Sequence, residues 1–379
     1  MADGGGMRPI GYFVHHQGRG HAERCAAIAH ALPPERPLVI FCARDDIFPP
    51  LPAQARIVTI PSLFEATGAE APGLADLDTP DTLHCAPAGW PGIREAMGII
   101  AGWFREADPA LMICDVSAEI AQLARICSVP HVKVVQHGDR TDPGHVAAYR
   151  GALGLLAPCH ADLAQPDWPD WMIGRMHFAG GLGIAPMPER AEARARLGHR
   201  PDDRIALVVS GGGGSGFAQA PIGVGARTLS DWRWHTIGHV ERDWHATEPG
   251  NLTHHGWVDD AADRIAAADL VIASTGNTTC HQVMEAGVPW IAVPEWRYFD
   301  EQHEKARALD AAAIAHVAPH LPSSAHAWRA AFDAAQARHD TGRMRALVDA
   351  DAASATAHWL EELIHRAWGA EAPLALVAE

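Results

Sequence analysis

The chain is short of positive charge: 30 lysines and arginines face 46 acidic residues, a formal net charge of −16 over 379 residues. A phosphate backbone needs a dense basic face, so a general nucleic-acid role is excluded. Lysine is nearly absent, with only Lys133 and Lys305, which we read as composition rather than mechanism. The seven cysteines (Cys25, Cys42, Cys85, Cys114, Cys127, Cys159, Cys280) form no C-x-x-C pair, and several sit in apolar runs as small core residues do. A disulfide framework and a zinc site are thereby disfavoured, and a reducing cytosol fits best. No run reaches the roughly 20 apolar residues of a spanning helix, and the first residues lack a signal-peptide core. The expected location is cytoplasmic, with peripheral contact at a membrane left open. No internal repeat of solenoid type is present.

What is present suits a folded α/β chain. Apolar residues make up 48%, and the length exceeds one ordinary core, so two domains are expected. An apolar run at 10–14 breaks at His15-His16-Gln17-Gly18-Arg19-Gly20-His21, and a helix pattern follows to Leu32. Further strands are expected at 38–42, 57–60, 111–114 and 131–135, with helices near 93–107 and 118–127. Strand, glycine turn, helix, strand is a βαβ unit opening a parallel sheet. Residues 61–92 hold five prolines without a period and read as loop, and 165–174 as irregular surface. Residues 180–188, rich in glycine and proline, read as an interdomain linker. A second series follows: a helix at 189–197, then a strand at 205–209 running into Ser210-Gly211-Gly212-Gly213-Gly214-Ser215-Gly216. Strands at 234–237 and near Leu252 and a helix at 260–267 come next. Residues 303–349 alternate helices with a short strand at 314–317, before a last helix near 354–367.

The most informative stretch is 270–302. An apolar run ends at Ser274-Thr275-Gly276-Asn277, a helix-compatible segment reaches Ala286, and Gly287-Val288-Pro289 leads to a second apolar run at 290–293. A helix N-terminus offers unpaired N–H groups and a positive dipole end, which suits a diphosphate. Asp300-Glu301-Gln302 then places acceptors and an amide where they reach hydroxyls of the same ligand. A sugar nucleotide has both a diphosphate and many hydroxyls.

These motifs resemble GT-B glycosyltransferases, most of all glycosyltransferase family 28, which includes the peptidoglycan GlcNAc transferase, and the family 1 enzymes. The resemblance implies two Rossmann-like domains facing across a cleft: 1–182 for the acceptor, 183–350 for a nucleotide sugar, and a C-terminal helix, 351–379, packing back on the first domain. Gly20-His21 matches the family's Gly-His after the first strand, where the His lies near the acceptor and serves as general base. Asp115 matches the position of an Asp that orients such a His in family 1. His15 and His16 are rivals for the base, and His16, Gly20 and His137 are placed on the acceptor side. On the donor side, Gly212, Gly213, Gly214 and Ser215 match a turn that approaches the diphosphate. Ser274, Thr275, Gly276, Asn277 and Thr278 form the helix start, and Trp257 with Val258 marks where backbone reads uracil. Asp300, Glu301 and Gln302 match the residues that hold sugar hydroxyls.

Two departures bear on the donor. Gln282 stands where relatives use a Glu to grip the ribose, and without charge assistance it holds a diol less strongly. The 295–299 segment is longer than in relatives. No Asp-x-Asp triplet lies where a donor metal would need it. The sequence therefore reads as an inverting, metal-independent glycosyltransferase with a UDP-sugar favoured as co-substrate, no cofactor, and an unidentified hydroxyl acceptor. A non-hydrolysing sugar-nucleotide epimerase, a nicotinamide-dependent oxidoreductase and a non-catalytic sugar-nucleotide-binding protein compete with that reading. For the oxidoreductase, neither glycine cluster fits G-x-G-x-x-G spacing cleanly.

Overall fold

The computed structural model of the chain describes residues 7–211, 216–241 and 247–369. Its first sheet is built from β1 (Ile10–Phe13), β2 (Leu38–Cys42), β3 (Ala55–Thr59), β4 (Leu111–Cys114), β5 (His131–Val134), β6 (Gly154–Ala157) and β7 (Met176–Phe178). The strands lie in the order β3-β2-β1-β4-β5-β6-β7 and every pairing is parallel. Helices cover both faces of such a sheet, so its inner strands read as continuous apolar runs. Each residue of β1, β2, β4, β5 and β6 is buried, whereas the edge strand β3 is half exposed.

The second half contributes β8 (Ile205–Val209), β9 (Phe217–Ala218), β10 (Arg233–Ile237), β11 (Val240–Glu241), β12 (Leu252–His254), β13 (Leu270–Ala273), β14 (Trp290–Ala292) and β15 (His316–Val317). Six of them form a parallel sheet in the order β12-β10-β8-β13-β14-β15, while β9 and β11 make a separate ribbon. In each sheet the strand order reverses beside its first strand, at β1/β4 and at β8/β13. Open α/β sheets bind ligands at that switch point, off the carboxyl ends of the strands. Both halves are Rossmann-like, as the sequence anticipates.

The chain crosses between the sheets at Gly180, Gly181 and Gly183, whose φ values of 64°, 113° and 74° lie in the region glycine favours. The returning strand of chain is tied to it, with Asp349 N–H donating to the Gly180 carbonyl at 2.9 Å. The last helix, Ala352–Trp368, lies on the first domain, where Ala357, Leu360, Leu363 and Ile364 join the core formed with β1 and β2. Arg36 holds this helix through Glu361 at 2.6 Å.

Several elements escape the sequence reading, among them the helix Gln219–Thr228, the short strands β9 and β11 and the helical turn Asp170–Ile173 within the stretch read as irregular. The helix Pro143–Gly151 starts on the Asp142 cap without a long apolar period. β6 has four residues and begins with glycine, and β7 has three half-buried ones, too few to carry a pattern. Residues 61–90 hold only the short turn of helix Pro72–Leu74, in line with the loop reading.

Candidate active site

The first half of the site grows from the turn after β1. Gly18, at φ 86°, turns the chain into the helix Arg19–Ala31, so His21 stands in its first turn. Asp115 follows β4, the strand beside β1, and the two meet with His21 Nδ1 3.1 Å from Asp115 Oδ1. Asp115 is fully buried. Burial alone would raise its carboxyl, yet Arg24 and then His21 outweigh that and hold it well below the usual carboxylate range. Arg24, one turn beyond His21, forks onto the same carboxylate, Nε to Oδ2 at 3.1 Å and Nη2 to Oδ2 at 2.7 Å. It is almost completely buried as well.

The rival histidines are placed differently. His15 stacks between His16 and Phe64, with ring centroids 5.3 and 4.7 Å away, and faces no carboxylate partner among the described residues. Burial, then His21 and His16, press its pKa down to about 3, so it stays neutral and a poor proton acceptor. His16 Nε2 lies 2.9 Å from Glu65 Oε1, on the long loop. A cavity of about 750 Å³ opens here, lined by His16, Gln17, Gly18, Arg44, Ser62 and Glu65 among others. His137, placed on the acceptor side by the resemblance, lies in the interior. It is 2% exposed, its Nε2 donates to the Leu163 carbonyl at 2.7 Å, and its ring packs on Trp168.

The second half of the site lies at β8/β13. The helix Asn277–Ala286 begins at Gly276 without a side-chain cap and without an acid in its first turn, leaving its first N–H groups to a ligand. Gly212, Gly213, Gly214 and Ser215 fall outside the described residues. The turn's ends are fixed, however: a Cβ on Gly211 would sit 3.5 Å from Ser274 Oγ, and Gly216 N–H donates to Glu295 Oε1 at 3.0 Å. Ser274 and Thr275 are buried, Gln282 and Val258 half-buried, and the Trp257 ring exposed. Gln302 is also buried: its side-chain oxygen accepts from Thr275 N–H at 3.1 Å and Glu295 N–H at 2.8 Å, so only its amide nitrogen is left to offer a ligand. Asp300 is half-exposed beside His303 at 2.8 Å. Three buried polar atoms around this turn have no partner among the described residues: Ser210 Oγ, Asn277 Oδ1 and Glu295 Oε2. Buried polar groups are nearly always paired, so the cluster marks room for a polar ligand.

Residues 240–320 match the model of the glycosyltransferase family 28 C-terminal domain. The chain carries a glycosyltransferase domain. No curated protein sequence matches it. Solved structures match over nearly its whole length. The glycotransferase of kitacinnamycin has 18% identity and a TM-score of 0.65, covering 94% of this chain and 99% of its own. MurG of Acinetobacter baumannii has 15% identity and a TM-score of 0.60 over the same shares, 94% and 99%. UGT2 of Phytolacca americana has 13% identity and a TM-score of 0.66, again over 94% and 99%. At these identities the likeness establishes the fold, which is GT-B, while the domain match establishes an enzyme of the glycosyltransferase class. No helix of the described residues is long and apolar enough to cross a membrane.

The two halves of this glycosyltransferase touch where their sites meet. A Cβ on Gly20 would come within 2.8 Å of Thr278 Oγ1, so the His21 turn abuts the start of the helix Asn277–Ala286. Arg140, in the loop after β5, reaches across to Glu301 at 3.0 Å, which commits that acid to the first domain. Gly138 leaves no room for a side chain against the Phe299 carbonyl at 2.6 Å. Phe299 and Asp300 hold left-handed backbone, φ 64° and 56°, which non-glycine residues rarely adopt. Beside them His84, Asp142 and His145 bring possible metal ligands within 4.8 Å of one another. His145 and Asp142 already satisfy each other at 2.6 Å, with Asp142 capping its helix, so that set is complete as a cap.

Arg24, Arg140 and Glu295 are the site residues sequence reasoning missed. The His21-x-x-Arg24 spacing puts both side chains on one helical face, and that signal was readable. The other two meet their partners only through the packing of the domains and loops.

Proposed function

We propose that the chain transfers a sugar from a nucleotide-diphosphate sugar, with UDP favoured, to a hydroxyl acceptor with inversion and without a metal. The observation that carries this reading is the contact of Gly20 with Thr278, which sets the His21 turn against the uncapped helix start. The UGT2 structure is a complex with UDP-2-fluoro-glucose and pterostilbene.

In the mechanism, the acceptor oxygen bonds to the anomeric carbon as the bond from that carbon to the diphosphate breaks, its electron pair leaving on the diphosphate. The acceptor proton passes to His21 Nε2, the nitrogen opposite the one that meets Asp115. Such base catalysis contributes typically about 10²–10⁴-fold. The leaving charge meets the N–H groups and positive dipole end of the helix Asn277–Ala286, a preorganised field that serves where other enzymes use a cation. Ser210, Asn277 and Glu295 supply polar atoms for the remaining hydroxyls and amides of the donor.

A thermal-shift screen against UDP-, dTDP- and GDP-sugars tests the reading. One or more should raise the melting temperature, as a ligand at 100 times its Kd adds about 2.7 kcal/mol. Turnover should persist in chelator. If no nucleotide sugar stabilises the protein, the proposal fails.

A further inference from the structure

Asp300, Glu301 and Gln302 are the residues expected to hold the sugar of the donor, and each is engaged elsewhere. Gln302 Oε1 accepts from the Thr275 and Glu295 N–H groups at 3.1 and 2.8 Å. Glu301 Oε2 pairs with Arg140 of the first domain at 3.0 Å. Asp300 Oδ1 lies 2.8 Å from His303 Nδ1 and its Oδ2 3.7 Å from Arg307. The seating of Phe299 on the first domain draws these residues away. Its ring packs against His84, His145 and Arg140 at 5.0, 5.2 and 4.8 Å, and its carbonyl accepts from Asp139 N–H at 2.6 Å. That seat holds Phe299 and Asp300 in left-handed backbone, φ 64° and 56°, a strain that persists only where the surroundings impose it.

Glu295 opens the same loop and is placed the other way. It is 7% exposed, its N–H donates to Gln302, and its Oε1 accepts from Gly216 N–H at 3.0 Å, where the glycine turn closes. Its Oε2 is buried and has no partner among the described residues. Such an atom is costly to leave unmade, so it marks a place that a donor group of a ligand fills. Chemistry narrows that group. Carboxylate and phosphate oxygens both accept, so the diphosphate falls to the N–H groups of the helix Asn277–Ala286, and Glu295 takes an O–H or N–H. Position along the sheet narrows it further. In the order β12-β10-β8-β13-β14, Trp257 and Val258, the expected place of the base, follow β12, whereas Glu295 follows β14. With the base on one side of the β8/β13 switch point and the diphosphate at it, the sugar falls on the β14 side.

From this geometry we infer that Glu295, in place of Glu301, holds the transferred sugar by accepting from one of its hydroxyl or amino groups. Its other oxygen, on Gly216, ties that contact to the glycine turn. The assignment rests on the nucleotide-sugar reading of the site and adds which residue reads the sugar and which do not.

The test compares each nucleotide sugar with its own sugar-free diphosphate by calorimetry: UDP-glucose and UDP-N-acetylglucosamine against UDP, and dTDP-glucose against dTDP. Glu295→Ala should weaken the bound nucleotide sugar about three- to tenfold and leave the diphosphate within about twofold. Glu295→Gln keeps an oxygen for Gly216 and puts an amide where Oε2 stood, so it should shift the ratio of the two affinities the same way, by less. It also decides the matter should Glu295→Ala not fold. Glu301→Gln should leave that ratio unchanged, whatever it does to the contact between the domains. Equal weakening of sugar and diphosphate by the Glu295 variants overturns the inference, since Oε2 would then serve the glycine turn. A change of ratio in Glu301→Gln and none in the Glu295 variants overturns it as well and returns the role to Glu301. If neither the nucleotide sugars nor UDP and dTDP bind, the nucleotide-sugar reading falls and takes the assignment with it. Binding of the diphosphates with an unmoved ratio strikes Glu295 alone.

Discussion

The two ends of the site are built on opposite plans. At the first domain, Asp115 has both oxygens engaged and no exposure, and His21 and Arg24 close a complete set of charges and hydrogen bonds. At the second, Ser210 Oγ, Asn277 Oδ1 and Glu295 Oε2 are buried without partners among the described residues, and a helix begins uncapped. A base must be held in one geometry before its substrate arrives, and internal partners do that. A donor site that releases a spent nucleotide each cycle can leave its polar groups for the ligand to complete. The difference teaches that mutations at the two ends should separate into those that cost stability and those that cost affinity.

The largest expected effect is on rate. His21→Ala should lower kcat by about 10²–10⁴-fold while nucleotide-sugar affinity, measured by calorimetry, stays unchanged. A loss of donor binding of similar size would erase the distinction between the ends. Asp115→Ala should come next and act on the fold itself. It leaves Arg24 buried without its carboxylate, and breaking a buried pair from one side costs about 3–5 kcal/mol. Urea denaturation should show that loss, and a midpoint within error of the wild type would mean the first-domain end is not the closed set described.

Legibility in the sequence follows the same division. The strand–turn–helix of 270–286 was readable because its period is long and its helix start, Ser274 to Asn277, is a local chemical pattern. His21 and Asp115 lie 94 residues apart, and their pairing was anticipated from the family resemblance rather than from any pattern along the chain. His137 looked like a site residue because it ends a strand, as Asp115 does. Which way a strand-end side chain turns is decided by packing, here against Trp168 and the Leu163 carbonyl. Gln302 and Glu301 were expected to hold a sugar, yet Gln302 ties Thr275 to Glu295 and Glu301 reaches Arg140, contacts made only when distant segments come together. β7 was missed because three half-buried residues carry no period, and β6 because its run opens on glycine and leaves only three apolar residues.

Acidification should separate the buried histidines from Asp115 at different pH. His281 on the donor helix is 1% exposed, and burial, then Lys305, pushes its pKa down to about 3; burial takes His131 and His145 down to about 4. A histidine whose folded pKa is depressed contributes stability that is complete above the unfolded value of about 6.5 and is lost as pH falls toward the folded value. Asp115 is depressed too, but its unfolded value is about 3.9, so its contribution is withdrawn only below that. Stability measured in urea should therefore begin to fall near pH 6.5, well before the Asp115 limb. His281→Leu should make that first limb shallower by up to about 1.4 kcal/mol per pH unit. An unchanged slope would mean that His281 takes up its proton in the folded state as easily as in the unfolded chain.

The smallest effect on the free protein is the most diagnostic of the open end. Asn277 Oδ1 is a buried acceptor without a partner among the described residues, and such a group costs folding free energy when its water is gone and nothing replaces it. Asn277→Ala removes that cost together with the amide, and alanine is the better helix former. The free protein should then be as stable as the wild type or slightly more so, within about 0.5 kcal/mol. With a stabilising nucleotide sugar present the order should invert: the wild type gains the hydrogen bond that the variant lacks, worth about 0.5–1.5 kcal/mol, a severalfold weaker Kd. A crossing of the two melting curves as ligand is added is the signature of a site finished by its ligand. If Asn277→Ala instead loses stability without ligand and none of its affinity, the polar atoms at the donor helix serve the fold, and the contrast between the two ends disappears.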